Sequence, residues 1–279
     1  RQLHENDGIT AVSLSAEYEL TLFNDLDVVV GGGHHWQNPD GLNNETDYSF
    51  LAGLNYHLNQ QLSLHGSWAR KIRMPSIRNL FDASRGNPGL KPERMKGFEA
   101  GVDYAFTETA SLKVTGFYYD INDFIQNDRI TKKFQNIEQA RVKGVEFSLA
   151  ARPLEKLDAR LSVSMQDSKD RSGNGQQQLT NTPGRIVSMD LDYAILYGIA
   201  AHLKLLNIAD QYYYTRNAPY IKAKLGESTR LDLRLRWKPV AGHITAYVGV
   251  DNVFDANYED EYALPAPGRM VFAGISWRK

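Results

Sequence analysis

The feature that most constrains this chain is a repeated one-for-one alternation of apolar and polar side chains, in segments of about ten residues. Over residues 9–23, Val12, Leu14, Ala16, Tyr18 and Leu20 share one parity, while Ser13, Ser15, Glu17 and Glu19 share the other. The same beat returns in 26–36, 48–58, 61–72, 96–106 and 112–118. It continues in 141–150, 157–167, 186–193, 199–206, 229–237, 243–253 and 269–277. A period of two puts successive side chains on opposite faces of an extended strand. The pattern predicts an all-β, antiparallel chain of roughly thirteen strands.

Connections between these segments fall into two kinds. Those near Asn24, Asn59, Glu108, Leu154, Tyr197 and Val240 are a few residues long. Those after Trp36, Ile72, Phe124, Gln166, Ala209 and Phe254 are longer and richer in Gly, Asn, Asp and Ser. Short and long alternate strictly, as in membrane barrels with short turns at one rim and long loops at the other. The two faces agree with this. Tyr18, Tyr56, Trp68, Tyr104, Trp237 and Trp277 carry the apolar parity near strand ends, where interfacial aromatics belong. The other parity holds Asp27, His57, Glu99, Asp103, Lys113 and Glu146. It also holds Asp158, Arg160, Asp190, Asp192, Asp232, Arg234 and Arg236, charges a dry core would not tolerate.

Composition removes other classes. With 32 Lys+Arg against 33 Asp+Glu the formal charge is −1, and the basic residues are scattered, so no nucleic-acid partner is expected. No cysteine is present, which excludes disulfides and thiolate chemistry. No apolar run approaches the length of a membrane helix, but spanning strands are only half apolar and escape such a scan. The opening residues carry no signal-peptide pattern, so the chain is expected to begin within a longer protein.

Motifs narrow the reading further. Residues 70–101 leave one alternating segment at Met74-Pro75 and rejoin the next at Lys96, through a loop of roughly twenty residues with no helical pattern. Between them lies Gly86-Asn87-Pro88-Gly89-Leu90-Lys91-Pro92-Glu93, dense in residues that turn or stiffen a backbone. The run from Arg73 and Pro75 through Asn87, Pro88, Leu90, Pro92 and Glu93 to Glu99 and Gly101 resembles the barrel half of TonB-dependent outer-membrane receptors. Further matches follow in order: Phe117-Tyr118-Tyr119-Asp120-Ile121, Asn136 with Gly144 and Glu146, Asn252-Val253-Phe254-Asp255, and Pro267-Gly268-Arg269.

The resemblance covers nearly all of residues 1–279, expected to form one domain. It implies the C-terminal part of an antiparallel transmembrane β-barrel of about 22 strands, without its plug. It also implies the bacterial outer membrane, lipid around the wall, a monomer, and uptake of a metal chelate. A ferric siderophore is the first candidate chelate, with cobalamin or haem next. The TonB complex would be reached only through the N-terminal plug. The chain ends Trp277-Arg278-Lys279, a cation where the family has an aromatic residue. A passive porin or adhesin barrel is the alternative.

Candidate sites are few. Tyr212, Tyr213, Tyr214, Tyr220, Tyr258 and Tyr262 fall in long loops and would offer broad rings with polar tips to an amphipathic chelate. His35 shares parity with Asp27 and would face the interior, where it would touch haem or a chelate or serve as a hydrogen-bonded rim residue. His34 would join the aromatic belt. The motif residues are expected to be structural, with Glu99 and Glu146 pairing with Arg70, Lys71, Arg73 or Arg269. Gly31-Gly32-Gly33 lacks the Lys-Ser/Thr of a phosphate loop, and the Asp-rich stretch from Asp167 fails the calcium-loop spacing. No catalytic constellation, resident cofactor or metal site is expected.

Overall fold

The computed structural model describes residues 7–128, 131–172, 177–215, 221–239 and 243–277. Its strands are β1 (Ile9–Leu22), β2 (Leu26–Pro39), β3 (Glu45–His57), β4 (Leu62–Arg73), β5 (Glu93–Thr107) and β6 (Ala110–Asn127). Then come β7 (Phe134–Leu154), β8 (Leu157–Asp170), β9 (Gln177–Gln178), β10 (Arg185–Ala194), β11 (Ile199–Ala209) and β12 (Tyr212–Tyr214). The last are β13 (Lys222–Lys224), β14 (Ser228–Trp237), β15 (Ile244–Asp251), β16 (Glu259–Glu261), β17 (Leu264–Pro265) and β18 (Met270–Trp277). Thirteen of them follow one another in a single meandering sheet, in the order β1-β2-β3-β4-β5-β6-β7-β8-β10-β11-β14-β15-β18, with β9 paired to β8. The pairs β12-β13 and β16-β17 are small ribbons within long connections.

The chain divides into two compact units. The first comprises Arg1–Val102, Gly116–Lys143 and Asp167–Leu179; the second comprises Asp103–Thr115, Gly144–Gln166 and Thr180–Lys279.

In the first unit, β1 to β4 are joined so that parity is kept across every pair. One row runs Tyr18↔Val30↔Ala52↔Trp68, and on the opposite face another runs Ser15↔Gly33↔Ser49. The β1–β2 turn places Phe23 and Asn24 at φ 56° and 65°, the left-handed conformation that lets a tight turn follow strand twist. The small apolar core lies beneath the β4–β5 connection: Leu80, Leu90 and Ile125, packed against by Ile9, Leu42, Phe81 and Phe134.

In the second unit the segregation is cleaner. Apolar rows run Leu161↔Met189↔Leu205↔Leu231 and Leu191↔Leu203↔Leu233↔Val250. Between them runs Arg160↔Asp190↔Lys204↔Asp232, and just beyond the second runs Asp158↔Asp192↔His202↔Arg234. The first of these alternates in sign across four strands, so each charge has opposite neighbours at cross-strand distance. Leu161 and Val248 are 37% and 44% exposed, so neither fills a packed centre. The oily face is the outward one that a bilayer would cover.

Three expectations need correction. The β4–β5 connection was expected to lack a helix but holds α1 (Ile77–Phe81), capped by Ser76, which accepts from Asn79 N–H while the Asn79 side chain accepts from Ser76 N–H. A five-residue helix carries no apolar period, so only its cap could have announced it. β6 and β7 are 18 and 21 residues long, well beyond the alternating stretches at 112–118 and 141–150. Both parities there carry mixed residues, which hides a strand from periodicity. Third, Arg70 pairs with Phe50 and so shares the parity of Trp68 instead of the polar face.

Candidate functional site

The motif loop in the first unit is held by its own polar side chains. Glu93, 7% exposed, takes both a guanidinium fork from Arg73 and the N–H of Ile125 at 2.6 Å. The fork ties the last residue of β4 to the first of β5, and the Ile125 bond ties both to β6. Pro75 and Pro92 are fully buried, and Gln37 of β2 donates to the Pro75 carbonyl at 3.0 Å. Asn87 donates to the Phe134 carbonyl and accepts from Gly89 N–H. Asn136 brackets Lys91, accepting from its N–H at 2.9 Å and donating to its carbonyl at 3.0 Å, and also donates to the Asp123 carbonyl at 2.6 Å. An amide doing this supplies what a paired strand would have supplied to a backbone that proline excludes from the ladder. Leu90, 4% exposed, plugs the core below, while Pro88 lies at the surface.

A charge network centred on the buried Asp47 and Arg70 adjoins this loop. Asp47 accepts from Arg70 at 2.8 Å and from Arg94 at 2.7 Å, and Arg94 also reaches Asp123 at 3.1 Å. Sequence reasoning missed Asp47, Arg94 and Asp123 as a group, since they meet only through pairing of distant strands. At the loop's bend Asp82 accepts from Ser84 N–H, Ser84 Oγ and Arg85 N–H, and these bonds hold its carboxyl down at about 2.

The expected carboxylate–cation pairs do not form as drawn. Glu99 accepts a 2.6 Å bond from the Tyr119 hydroxyl, and the Tyr119 ring passes 2.8 Å from where a Cβ on Gly97 would sit. Glu146 receives Ser164 Oγ at 3.4 Å. Arg70 and Arg73 are taken by Asp47 and Glu93 instead. The reason is reach: each carboxylate meets a hydroxyl on the next strand of the sheet, on β6 for Glu99 and on β8 for Glu146, before a cation elsewhere. Gly101 and Gly144 occupy half-buried strand positions.

In the second unit two motifs converge. Asn252, 3% exposed, closes a turn on Ala256 through both its amide atoms, and Asp255 accepts from Arg269 N–H at 2.8 Å. A Cβ on Gly268 would lie 2.8 Å from that same Asp255 carboxylate, so a larger residue there would push the carboxylate from its bond to Arg269. Pro267 and Arg269 are exposed beside it.

The loop tyrosines are partly gathered. Tyr213 and Tyr262 stack at 4.1 Å between centroids and 8° between planes, and Gln211 donates to the Asp260 carbonyl, so the β12–β13 and β16–β17 ribbons lie side by side. Tyr212 lies under Lys222, 4.5 Å from the ring centroid. Asp210 and Lys224 form an ion pair that lowers the one carboxyl and raises the other ammonium. Tyr258 is held apart from the stack, its hydroxyl accepting from Arg230 at 2.8 Å. Tyr214 lies on β12, half-buried, and Tyr220 lies outside the described residues.

His35, in the first unit, has both ring nitrogens occupied, by Ser13 Oγ at 3.0 Å and Ser49 Oγ at 2.9 Å. His34 packs edge-on against Trp36 on the other face, as expected. Among the described residues no cluster of three or more His, Cys, Asp or Glu is set to hold a metal ion.

The deciding observation is a match between residues 3–253 and the family model described as TonB dependent receptor-like, beta-barrel. The chain belongs to this family. Several solved structures superpose on almost all of it. The siderophore receptor PiuA from Acinetobacter baumannii is 17% identical with a TM-score of 0.79, covering 97% of this chain and 43% of PiuA. The ferric-catecholate import receptor Fiu from E. coli K12 is 16% identical with a TM-score of 0.78, over 97% of this chain and 45% of Fiu. The copper transporter OprC is 16% identical with a TM-score of 0.80, over 97% and 48%. The chain thus spans less than half the length of each of these proteins, and the fourteen-stranded sheet of the described residues is a part of a TonB-dependent receptor barrel.

Proposed function

We propose that residues 1–279 are the C-terminal portion of the barrel of an outer-membrane receptor that imports a metal chelate with energy delivered through TonB. The observation that carries this is the family match over residues 3–253 on a sheet whose two faces are sorted into oily and charged rows. The wall and several capture loops belong to this chain; the TonB contact would lie in a plug outside it. A ferric siderophore is the cargo we favour, because the similar structures include a siderophore receptor and a ferric-catecholate importer. Engagement of both His35 nitrogens by hydroxyls weighs against haem ligation there. The reading assigns the motif residues a structural role and gives ligand contact to the Tyr213–Tyr262 stack with Tyr212, Tyr214 and Tyr258. It assigns no enzymatic step.

The test is uptake of radiolabelled iron from a panel of siderophores by iron-starved cells carrying the full-length receptor, with and without TonB. TonB-dependent uptake of at least one ferric chelate is expected. Uptake indifferent to TonB, together with stable ion conductance in planar bilayers, would replace this reading with a passive porin.

A further inference from the structure

The oily face does not stay oily to the ends of its strands. In the first unit Trp68 stacks on Phe98 with centroids 6.0 Å apart, so Phe98 stands on the oily side of β5 and Glu99, bonded by Tyr119, on the charged side. Tyr118 and Asp120 flank Tyr119 in sequence and so take the oily side of β6. That face of β6 reads Leu112, Val114, Gly116, Tyr118 and then Asp120. β7, read toward its long connection, gives Phe147 and Val145, then Lys143 and Arg141. β8 gives Val163 and Met165, then Asp167 and Lys169. On three consecutive strands the outward side chains change from apolar to charged toward the long connections, as they must where acyl chains give way to headgroups.

The charged groups of this face all belong to the first unit, and their contacts locate them. Arg141 lies 4.8 Å from the Tyr118 ring centroid and grips Asp120 through Nε at 2.8 Å and Nη2 at 3.3 Å. The charge of Arg171 acts on the Tyr118 hydroxyl in the same cluster. Lys169 Nζ stands 3.1 Å from Asp167, on which the charge of Lys143 also acts. Each carboxylate thus serves two cations, fixing where they stand while neutralising half their charge. Among the described residues the patch sets Arg141, Lys143, Lys169 and Arg171 against Asp120 and Asp167, so positive charge is in excess. Arg141 and Asp120 are each 27% exposed at the side chain, so water screens that charge only in part. A partly desolvated positive surface directly above apolar rows is complementary to a phosphate carried on acyl chains. A free anion would have no use for the rows beneath, and a soluble partner would not be met on a lipid-facing side.

We propose that this outward face of β6, β7 and β8 binds a phosphorylated lipid of the leaflet at the long-connection rim. Its acyl chains lie along the apolar positions, and its phosphate is held by Arg141, Lys143, Lys169 and Arg171. Asp120 and Asp167 position these cations and limit the affinity. The site rests on the outer-membrane reading above and adds to it a lipid chosen by charge.

Native mass spectrometry of the full-length receptor, delipidated in detergent and offered lipid A or lipid A stripped of its phosphates, tests this. The phosphorylated form should be retained at least about fivefold over the stripped one, as one or more surface cations would provide. Lys143→Gln with Arg171→Gln should cut that retention by at least about fivefold. Asp167→Asn should raise it, since a competing carboxylate is gone. The opposite signs matter: side chains that only hold the strands together would lower retention in both variants. Equal retention of the two lipids, displacement of lipid A by equimolar inorganic phosphate, or a loss in Asp167→Asn would overturn the proposal. Failure here is distinguishable from failure of the functional reading. A receptor that imports its chelate with TonB yet shows no lipid preference loses only this site, and one that does not insert into bilayers loses both.

Discussion

The hydroxyl of Tyr119 reaches Glu99 at 2.6 Å only because its ring crosses the vacant side-chain position of Gly97. Three residues on two strands thus form one unit, with glycine supplying a slot, tyrosine filling it and a carboxylate taking the polar tip. Gly97→Ala should push the ring out and break that bond, destabilising the protein by about 1–3 kcal/mol as overpacking does. Tyr119→Phe keeps the ring in place and should cost only about 1 kcal/mol. Urea unfolding in lipid vesicles gives both values; a milder effect for Gly97→Ala than for Tyr119→Phe would refute the slot.

Glu93 is buried while its partner Arg73 is 55% exposed at the side chain, so the two ends of this pair are not equivalent. Arg73→Ala leaves a buried carboxylate without its counter-charge, and a loss of about 3–5 kcal/mol is expected. Glu93→Ala leaves a half-exposed guanidinium that water can solvate and strands only the Ile125 N–H, which should cost about 1–3 kcal/mol. Limited proteolysis across residues 77–92 reads the same asymmetry locally, with cleavage rising more in Arg73→Ala.

Asp82 gives the loop an acid response. Its bonds to Ser84 and Arg85 hold its folded value at about 2, below the 3.8 of a free aspartate. The lowered value means the turn gains stability at every pH above 3.8, and that gain fades as pH falls through about 2. Amide exchange at Ser84 and Arg85 should therefore accelerate between those values. In Asp82→Asn the step should vanish; a step that persists places the titrating group elsewhere.

At Gly198, φ 78° and the facing Lys238 carbonyl leave no space for a Cβ. Gly198→Ala should open the β10–β11 turn and slow refolding into bilayers, while the neighbouring Tyr197→Asn, which suits the left-handed conformation, should not. Refolding yield measured by heat-modifiable gel mobility checks this. Equal yields for Gly198→Ala and the unmodified protein would contradict the geometry.

Tyr213 and Tyr262 should be coupled. A double-mutant cycle with alanine at each position should return about 0.5–1.5 kcal/mol of interaction in unfolding. On the proposed reading each single variant also weakens chelate binding in a fluorescence titration of the full receptor. Coupling without an affinity change would leave the stack as loop packing alone.

Much of this molecule was legible before any coordinates. Alternation is a property of neighbouring residues, so strand number, the two faces and the strict short–long rhythm of the connections could all be read along the chain. The Asn87–Glu93 motif announced itself through residues that cannot join a ladder, and Asn136 through the same family pattern. Hidden were features whose partners lie far apart in sequence. Asp47 and Arg94 are separated by 47 positions and meet across strand pairing, and nothing local distinguishes either from an ordinary surface charge. The one-turn helix was too short for a period, and β6 and β7 ran on where mixed parity concealed them.

Sequence by itself determined which side chains share a face, because a two-residue period needs no knowledge of neighbours. Tertiary structure alone decided register, and register decides which charge meets which. It set Arg160 against Asp190, gave Glu99 to Tyr119 instead of a cation, and placed Ala201 between Tyr193 and Leu235. A shift of one residue in any pair would have reversed the faces, and a shift of two would have kept the faces but exchanged every partner.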